Sequence, residues 1–220
     1  MTGVGLLGVF GGTFNPIHLG HLRAAEQVVE QLGLERLLFV PSGTPPHKPE
    51  ERLAHARVRL DWVRRAIAGN KRFELDPVEV ERAGPSFSVD TLRAIGARVA
   101  PGKPVFVIGS DALAELGSWR DPDAILALAH LAVMARREAG GALAERLPPT
   151  LAGALELAPD GLSARHRSAG TWARWLEIDA LPISATDVRE RLRAGRSVRY
   201  LVPEAIHDDV VASGVYGPGA

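Results

Sequence analysis

Two histidines three residues apart, His18 and His21, close the stretch Gly11-Gly12-Thr13-Phe14-Asn15-Pro16-Ile17-His18-Leu19-Gly20-His21-Leu22. Residues at that spacing share one face of a helix. A helix starting near His18 would set both imidazoles at its positive end, where unpaired amides and the dipole favour an anion. Gly11 and Gly12, directly after an apolar run, let backbone approach a ligand and present amides. Gly20 keeps a side chain out of the space between the rings. Ring donors, bare backbone and a helix terminus converging on one point make a phosphate site. No acidic residue stands nearby in sequence to complete a metal face. No Gly-Lys-Ser/Thr follows the glycines, so this is not a Walker loop. A literal G-x-G-x-x-G, Gly3 to Gly8, lies inside a strand pattern, whereas a dinucleotide site needs it between strand and helix.

A second group lies far along the chain, in Ile183-Ser184-Ala185-Thr186-Asp187-Val188-Arg189. Ser184 and Thr186 at a helix start can offer hydroxyls and amides to phosphate oxygens, with Arg189 one turn later. Alone, this segment reads as a capped amphipathic helix. Lys48 is one of only three lysines, with Lys71 and Lys103, against 23 arginines, and it sits in the loop-like run Pro45-Pro46-His47-Lys48.

The elements that must carry these residues follow from the apolar pattern. Val4 to Phe10, Leu37 to Val40, Val105 to Ile108 and Leu131 to Met134 read as buried strands, and Leu75 to Val80 as a short strand. Helical spacing runs from Leu19 to Leu32, ended by Gly33. It recurs through Leu53, Val58, Leu60, Val63 and Ile67, and again from Ser88, a candidate N-cap, to Val99. Trp172 to Ile178 is a strand pattern, Ser184 to Ala194 and Glu204 to Ala212 are helical. This alternation predicts an α/β fold, a doubly wound parallel sheet. Gly140 to Gly170 breaks the rhythm and reads as a variable excursion within one domain of residues 1–220, with a small C-terminal helical part at 184–220.

Composition bounds the function classes. Twenty-six basic and 26 acidic residues cancel, which argues against a protein devoted to gripping duplex nucleic acid. The absence of cysteine excludes disulfides, a thiolate zinc site and a cysteine nucleophile. No apolar run approaches membrane-spanning length and no signal-peptide pattern opens the chain, so a cytoplasmic protein is expected.

The stretch GGTFNPIHLGHL resembles the H-x-G-H signature of the nucleotidyltransferase α/β-phosphodiesterase superfamily, and residues 183–189 resemble the I-S-x-T-x-[IV]-R form of its small adenylyltransferases. Further stretches are similar to the bacterial nicotinate-nucleotide adenylyltransferase family. They are Phe39-Val40-Pro41 with Pro45 to Lys48, Glu81 to Ser88 with Asp90-Thr91-Leu92, Ile108 to Leu113 with Trp119, and Tyr200-Leu201-Val202-Pro203. The resemblance runs almost end to end, failing mainly across Gly140 to Gly170.

It implies a Rossmann-like fold and transfer of AMP from ATP to nicotinate mononucleotide, with Mg²⁺ carried by ATP. The partners implied are these small molecules, with no nucleic acid and no membrane. It assigns His18 and His21 to the ATP phosphates, beside Gly11, Gly12, Thr13 and Phe14, and Lys48 to phosphate as the site closes. Gly109 and Asp111 go to the nucleotide riboses; Ile183, Ser184, Thr186 and Arg189 go to the triphosphate tail. Trp119 is assigned to the pyridine ring, and backbone near Ser88 and Arg120 to the nicotinate carboxylate. The family often has Arg-Pro-Gly where this chain has Arg136-Arg137-Glu138; Arg136 is the candidate substrate contact, with Arg137 the other possibility. Asn15 stands where the family usually has Asp. A phosphopantetheine adenylyltransferase and a non-catalytic nucleotide sensor on the same fold are the rival readings.

Overall fold

A computed structural model describes residues 5–45 and 53–217, with only the backbone of Ala139. Its strands are β1 (Leu7–Gly12), β2 (Arg36–Pro41), β3 (Phe73–Leu75), β4 (Val105–Gly109), β5 (His130–Arg136), β6 (Leu155–Leu157), β7 (Ser163–His166) and β8 (Trp172–Ile178). They form one eight-stranded sheet in the order β3-β2-β1-β4-β5-β8-β7-β6. Pairings from β3 through β8 are parallel; those of β8 with β7 and of β7 with β6 are antiparallel.

The helices are α1 (Leu19–Leu32), α2 (Ala56–Ile67), α3 (Val78–Glu81), α4 (Ser88–Val99), α5 (Ser110–Glu115), α6 (Pro122–Leu128), α7 (Leu143–Arg146), α8 (Pro149–Ala152), α9 (Ala185–Arg193) and α10 (Glu204–Ala212). Successive strand residues point to opposite faces, and both faces are covered. Phe10, Leu37, Phe39, Val105, Val107 and Ala132 join α1, α2, α9 and α10 in one apolar cluster. Their alternates Val9, Leu38, Val40, Phe106, Ile108, Leu131 and Val133 join α4, α5 and α6 in another. Burial on both faces is why these strands are continuous apolar runs. The doubly wound α/β expectation holds. Among the described residues no helix is long and apolar enough to cross a membrane.

Several local expectations need correction. β1 begins at Leu7 and includes Gly11 and Gly12, because its parallel pairing with β2 continues to Val40 and Pro41. Leu75 to Val80 is not one strand. β3 ends at Leu75, the Asp76 carboxylate accepts the Val78 N–H at 3.1 Å, and Pro77 opens α3. In α2 the buried residues are Arg59, Trp62, Val63 and Ile67, while Leu53 precedes the helix and Val58 is exposed. Ser88 is the first residue of α4, with Phe87 as N-cap. Gly140 to Gly170 supplies α7, α8 and the β6–β7 hairpin, which widens the sheet beyond β8.

Strand order reverses between β1 and β4. In open α/β sheets the crevice beyond the strands' carboxyl ends at such a switch point is where ligands bind. The carboxyl ends here are Gly12, Gly109, Arg136 and Ile178.

Candidate active site

α1 begins at Leu19 with His18 as its N-cap in extended backbone, and ends on Gly33 in the left-handed region (φ 62°). The His18 N–H donates to His21 Nδ1 at 3.2 Å. An acceptor Nδ1 puts the proton of a neutral His21 ring on Nε2, making that nitrogen a donor. The two imidazoles stack with centroids 3.6 Å apart. His18 is 5% exposed, and burial pushes its pKa down to about 4, so it is neutral at pH 7. Its Nδ1 is buried with no hydrogen-bond partner among the described residues. His21 is backed by the Phe14 ring, edge-on at 5.2 Å. Phe14 itself is 3% exposed, so its side chain supports the histidine from within the core.

The first turn of α1 is less open than the sequence suggests. The Leu19 N–H donates to the Leu201 carbonyl at 2.9 Å and the His21 N–H to the His18 carbonyl at 3.0 Å. Between them the Gly20 N–H meets no acceptor among the described residues.

The two separated motifs meet at this point. A Cβ on Gly20 would lie 3.0 Å from His18 Nδ1 and 3.2 Å from the Ile183 carbonyl oxygen. That is tighter than ordinary contact, so glycine lets the residue 183 backbone close over the histidine. Ser184 caps α9 by accepting the Asp187 N–H at 3.0 Å. Arg189 donates from Nη1 to the Asn15 carbonyl at 2.9 Å and from Nη2 to Thr186 Oγ1 at 3.1 Å. Tyr200-Leu201-Val202-Pro203 thus contributes a carbonyl to the α1 start, and the Ile183 to Arg189 segment clasps the turn before it.

A cleft of about 180 Å³ opens here, lined by His18, Gly20, His21, Gly109, Asp111, Arg136 and Ile183 among others. That is below the roughly 300–1,000 Å³ of whole small-molecule pockets, and matches the phosphate end of a nucleotide better than all of one. Gly109 has nothing within 4 Å of where a Cβ would stand, so the protein's own packing does not need a glycine there. Arg136, the last residue of β5, is exposed, and its guanidinium makes no ion pair or hydrogen bond with a described residue. Arg137 is engaged elsewhere: its Nε donates to Asp179 Oδ1 at 2.7 Å, with Glu177 at 3.6 Å. Of the two adjacent arginines, Arg136 is the one at the cleft.

Ser88, Trp119 and Arg120 do not line this cleft; Ser88 begins α4 and Arg120 lies against that helix start. The Arg120 guanidinium lies 4.7 Å above the Phe87 ring and 3.7 Å from Asp90. Trp119 packs edge-on against Phe106 at 6.4 Å. Lys48 falls outside the described residues.

Two buried polar residues escaped the sequence reading. Gln27, on the buried face of α1, donates from Nε2 to the Asp179 carbonyl at 3.0 Å and accepts the Asp179 N–H at 2.8 Å, tying α1 to the end of β8. Arg59, 1% exposed, donates to backbone carbonyls of three separate segments. The available signal was the same for both: a lone polar residue at a position the helical period turns inward.

The cytidylyltransferase-like family model matches residues 9–191. A protein of Trichlorobacter lovleyi named "Probable nicotinate-nucleotide adenylyltransferase" is 42% identical over 215 residues, covering 96% of this chain and 99% of that protein. A Geobacter sulfurreducens protein of the same name is 40% identical over 95% of this chain and 97% of its own. Among solved structures, the Plasmodium falciparum nicotinic acid mononucleotide adenylyltransferase complexed with NaAD superposes with a TM-score of 0.73 at 14% identity, covering 97% of this chain and 98% of that one. The same enzyme complexed with APC gives 0.71 at 13% identity, with the same coverage. At that identity the likeness is one of fold.

Proposed function

We propose the function from one premise: this chain belongs to the cytidylyltransferase-like family and, within it, to the nicotinate-nucleotide adenylyltransferases. It transfers the AMP part of ATP to nicotinate mononucleotide, releasing pyrophosphate and forming nicotinate adenine dinucleotide. The acceptor phosphate is anionic at neutral pH. Its oxygen bonds to the α-phosphorus as the bond from that phosphorus to the pyrophosphate oxygen breaks. Neither a general base nor a covalent enzyme intermediate is needed, so the protein's work is alignment and neutralisation of developing charge.

The observation that best supports this is the buried, unpartnered His18 Nδ1 beside the Gly20 amide at the cleft. A phosphate oxygen gives both groups the partner they lack, and the cost of leaving a buried polar atom unpaired is removed on binding. In this assignment His21 Nε2–H and Arg136 act on the phosphates. Gly11 and Gly12 at the end of β1, with Thr13 and Phe14 in the turn after it, adjoin the phosphates, and Ile183, Ser184, Thr186 and Arg189 close over the triphosphate. Gly109 and Asp111 meet the ribose. Ser88, Trp119 and Arg120 take the nicotinate end, the indole stacking on the pyridine ring. Lys48 neutralises phosphate as the site closes. The residues at the cleft fit a Mg²⁺ held by ATP oxygens, since Asp111 is the one carboxylate among the lining residues. Such an ion screens the phosphate charge. With both substrates charged nucleotides, the enzyme works in the cytoplasm.

Pyrophosphate release is the assay, with Mg²⁺-ATP and, separately, nicotinate mononucleotide, its amide analogue and phosphopantetheine. Turnover is expected with the nicotinate compound, and its ratio to the amide gives the acid preference. Turnover with phosphopantetheine alone would reassign the chain to that sibling activity. Silence with all three in a chain that still binds ATP would make it a sensor.

A further inference from the structure

We propose that Glu79 is a positioning residue for the acceptor substrate, fixing the start of α4 where the nicotinate carboxylate is read. This rests on the functional assignment above, which gives the nicotinate end to Ser88, Trp119 and Arg120.

Glu79 is 7% exposed and is the second residue of the short helix α3. A buried carboxyl group is costly unless it is hydrogen-bonded, and the partners here flank one short stretch of chain. The Thr91 hydroxyl donates to Glu79 Oε1 at 2.6 Å and accepts from Arg82 Nη2 at 3.2 Å. The Ser86 hydroxyl is a further hydrogen-bonding partner of the carboxyl group. Burial pushes the Glu79 pKa up, and Thr91, Arg82, Ser86 and Arg59 oppose that rise. Ser86 and Thr91 stand on either side of Phe87, the N-cap of α4, and Ser88, its first residue.

The platform under Glu79 is itself fixed. The Asp76 N–H donates to the Phe39 carbonyl at 2.9 Å, and its buried carboxylate accepts Arg98 Nη2 at 2.6 Å. These bonds tie the start of α3 to β2 and to the far end of α4. Ser86 Oγ accepts the Gly43 and Thr44 N–H groups at 2.9 and 3.2 Å, and the Ser86 N–H donates to the Thr44 carbonyl at 2.8 Å. Gly43 has no latitude, because a Cβ there would fall 2.2 Å from the Glu79 carbonyl oxygen.

What this network holds is a helix start without a side-chain cap. The Ser88 and Val89 N–H groups meet no acceptor among the described residues. With the Arg120 guanidinium beside them over Phe87, they are the donors a carboxylate would take. A carboxylate offers two acceptor oxygens where an amide group offers one, so discrimination needs both backbone donors held in place. Glu79 therefore acts on acceptor recognition from beneath the site, through Ser86 and Thr91.

Glu79→Gln tests this, since it keeps the shape but leaves one acceptor oxygen where the carboxylate offers two. KM for nicotinate mononucleotide should rise about tenfold or more, while kcat and KM for ATP stay within about threefold. Affinity for the amide analogue, read as turnover or as inhibition, should stay within about threefold. Thr91→Val removes the hydroxyl and should show the same pattern, whereas Thr91→Ser keeps it and should stay close to the wild type. That pair carries the test if Glu79→Gln does not fold. Without substrate, amide exchange at Phe87, Ser88 and Val89 should quicken in Glu79→Gln relative to the amides of α1. Losses shared equally by acid, amide and ATP, or a Thr91→Ser as damaged as Thr91→Val, would overturn the proposal. A wild-type chain that turns over neither mononucleotide would instead contradict the functional assignment, and the substrate-free exchange would still decide whether Glu79 fixes the start of α4.

Discussion

His18 is kept neutral by its own burial, and this has a definite sign in the pH dependence of stability. Its pKa is about 4 in the folded chain against an ordinary 6.5. Between those values the unfolded chain binds a proton that the folded chain does not. The contribution is therefore fully present above pH 6.5 and is lost as pH falls towards 4, to a total of about 3 kcal/mol at 1.36 kcal/mol per unit. His18→Asn should flatten the acid limb of the urea midpoint against pH. An acid limb as steep in the variant as in the wild type would contradict the assignment. The same neutrality suits the proposed chemistry: a neutral ring stacked 3.6 Å from a second imidazole offers hydrogen bonds without adding like charge between them. At this scale the site was half legible. His18, Gly20 and His21 announced themselves by spacing. Arg59 did not, because a charged residue inside a helix reads as solvent-facing until its carbonyl partners, of which Thr13 and Gly43 are distant in sequence, are known.

The elements that position the site were legible wherever a full period ended on a clear breaker. α1 runs from Leu19 to Leu32 before Gly33, β8 from Trp172 to Ile178 and α10 from Glu204 to Ala212, all as the pattern predicts. Short elements were not. α5 and α6 span six and seven residues, too few to establish a 3.6-residue period, and the β6–β7 hairpin has strands of three and four. The α2 face was misjudged because Val58 and Leu60 flank Arg59, the residue that actually turns inward. What holds α1 to the cleft rim is likewise non-local: Gln27 exchanges two hydrogen bonds with the Asp179 backbone, 152 residues away. Gln27→Ala leaves that N–H and carbonyl without their partner and should cost about 2 kcal/mol in urea unfolding. Gln27→Leu should not restore it, because the loss is of hydrogen bonds and not of volume. Variants within about 0.5 kcal/mol of wild type would show that water replaces the clamp at no cost.

At the scale of the whole molecule, charge is balanced, so no net field draws anions to the protein. Recognition must come from the local assembly at the β1–β4 switch point. That assembly draws on the entire chain. The phosphate turn at residues 13–18 is held by Arg59 from α2, by Arg189 from α9 and by Tyr216 near the end of the described residues, and Leu201 holds the first residue of α1 just after it. We propose on this ground that residues 1–220 act as one unit, with the C-terminal helical part completing the site. The most direct measurement is the amount of nicotinate adenine dinucleotide and pyrophosphate formed from Mg²⁺-ATP and nicotinate mononucleotide, for the wild type and His21→Ala side by side. The wild type should form the two products in equal amounts. His21→Ala, melting as the wild type does, should lose about 10²–10³-fold in kcat, the scale of removing one preorganised donor. No dinucleotide from the wild type, or near-normal turnover by His21→Ala, would contradict the account.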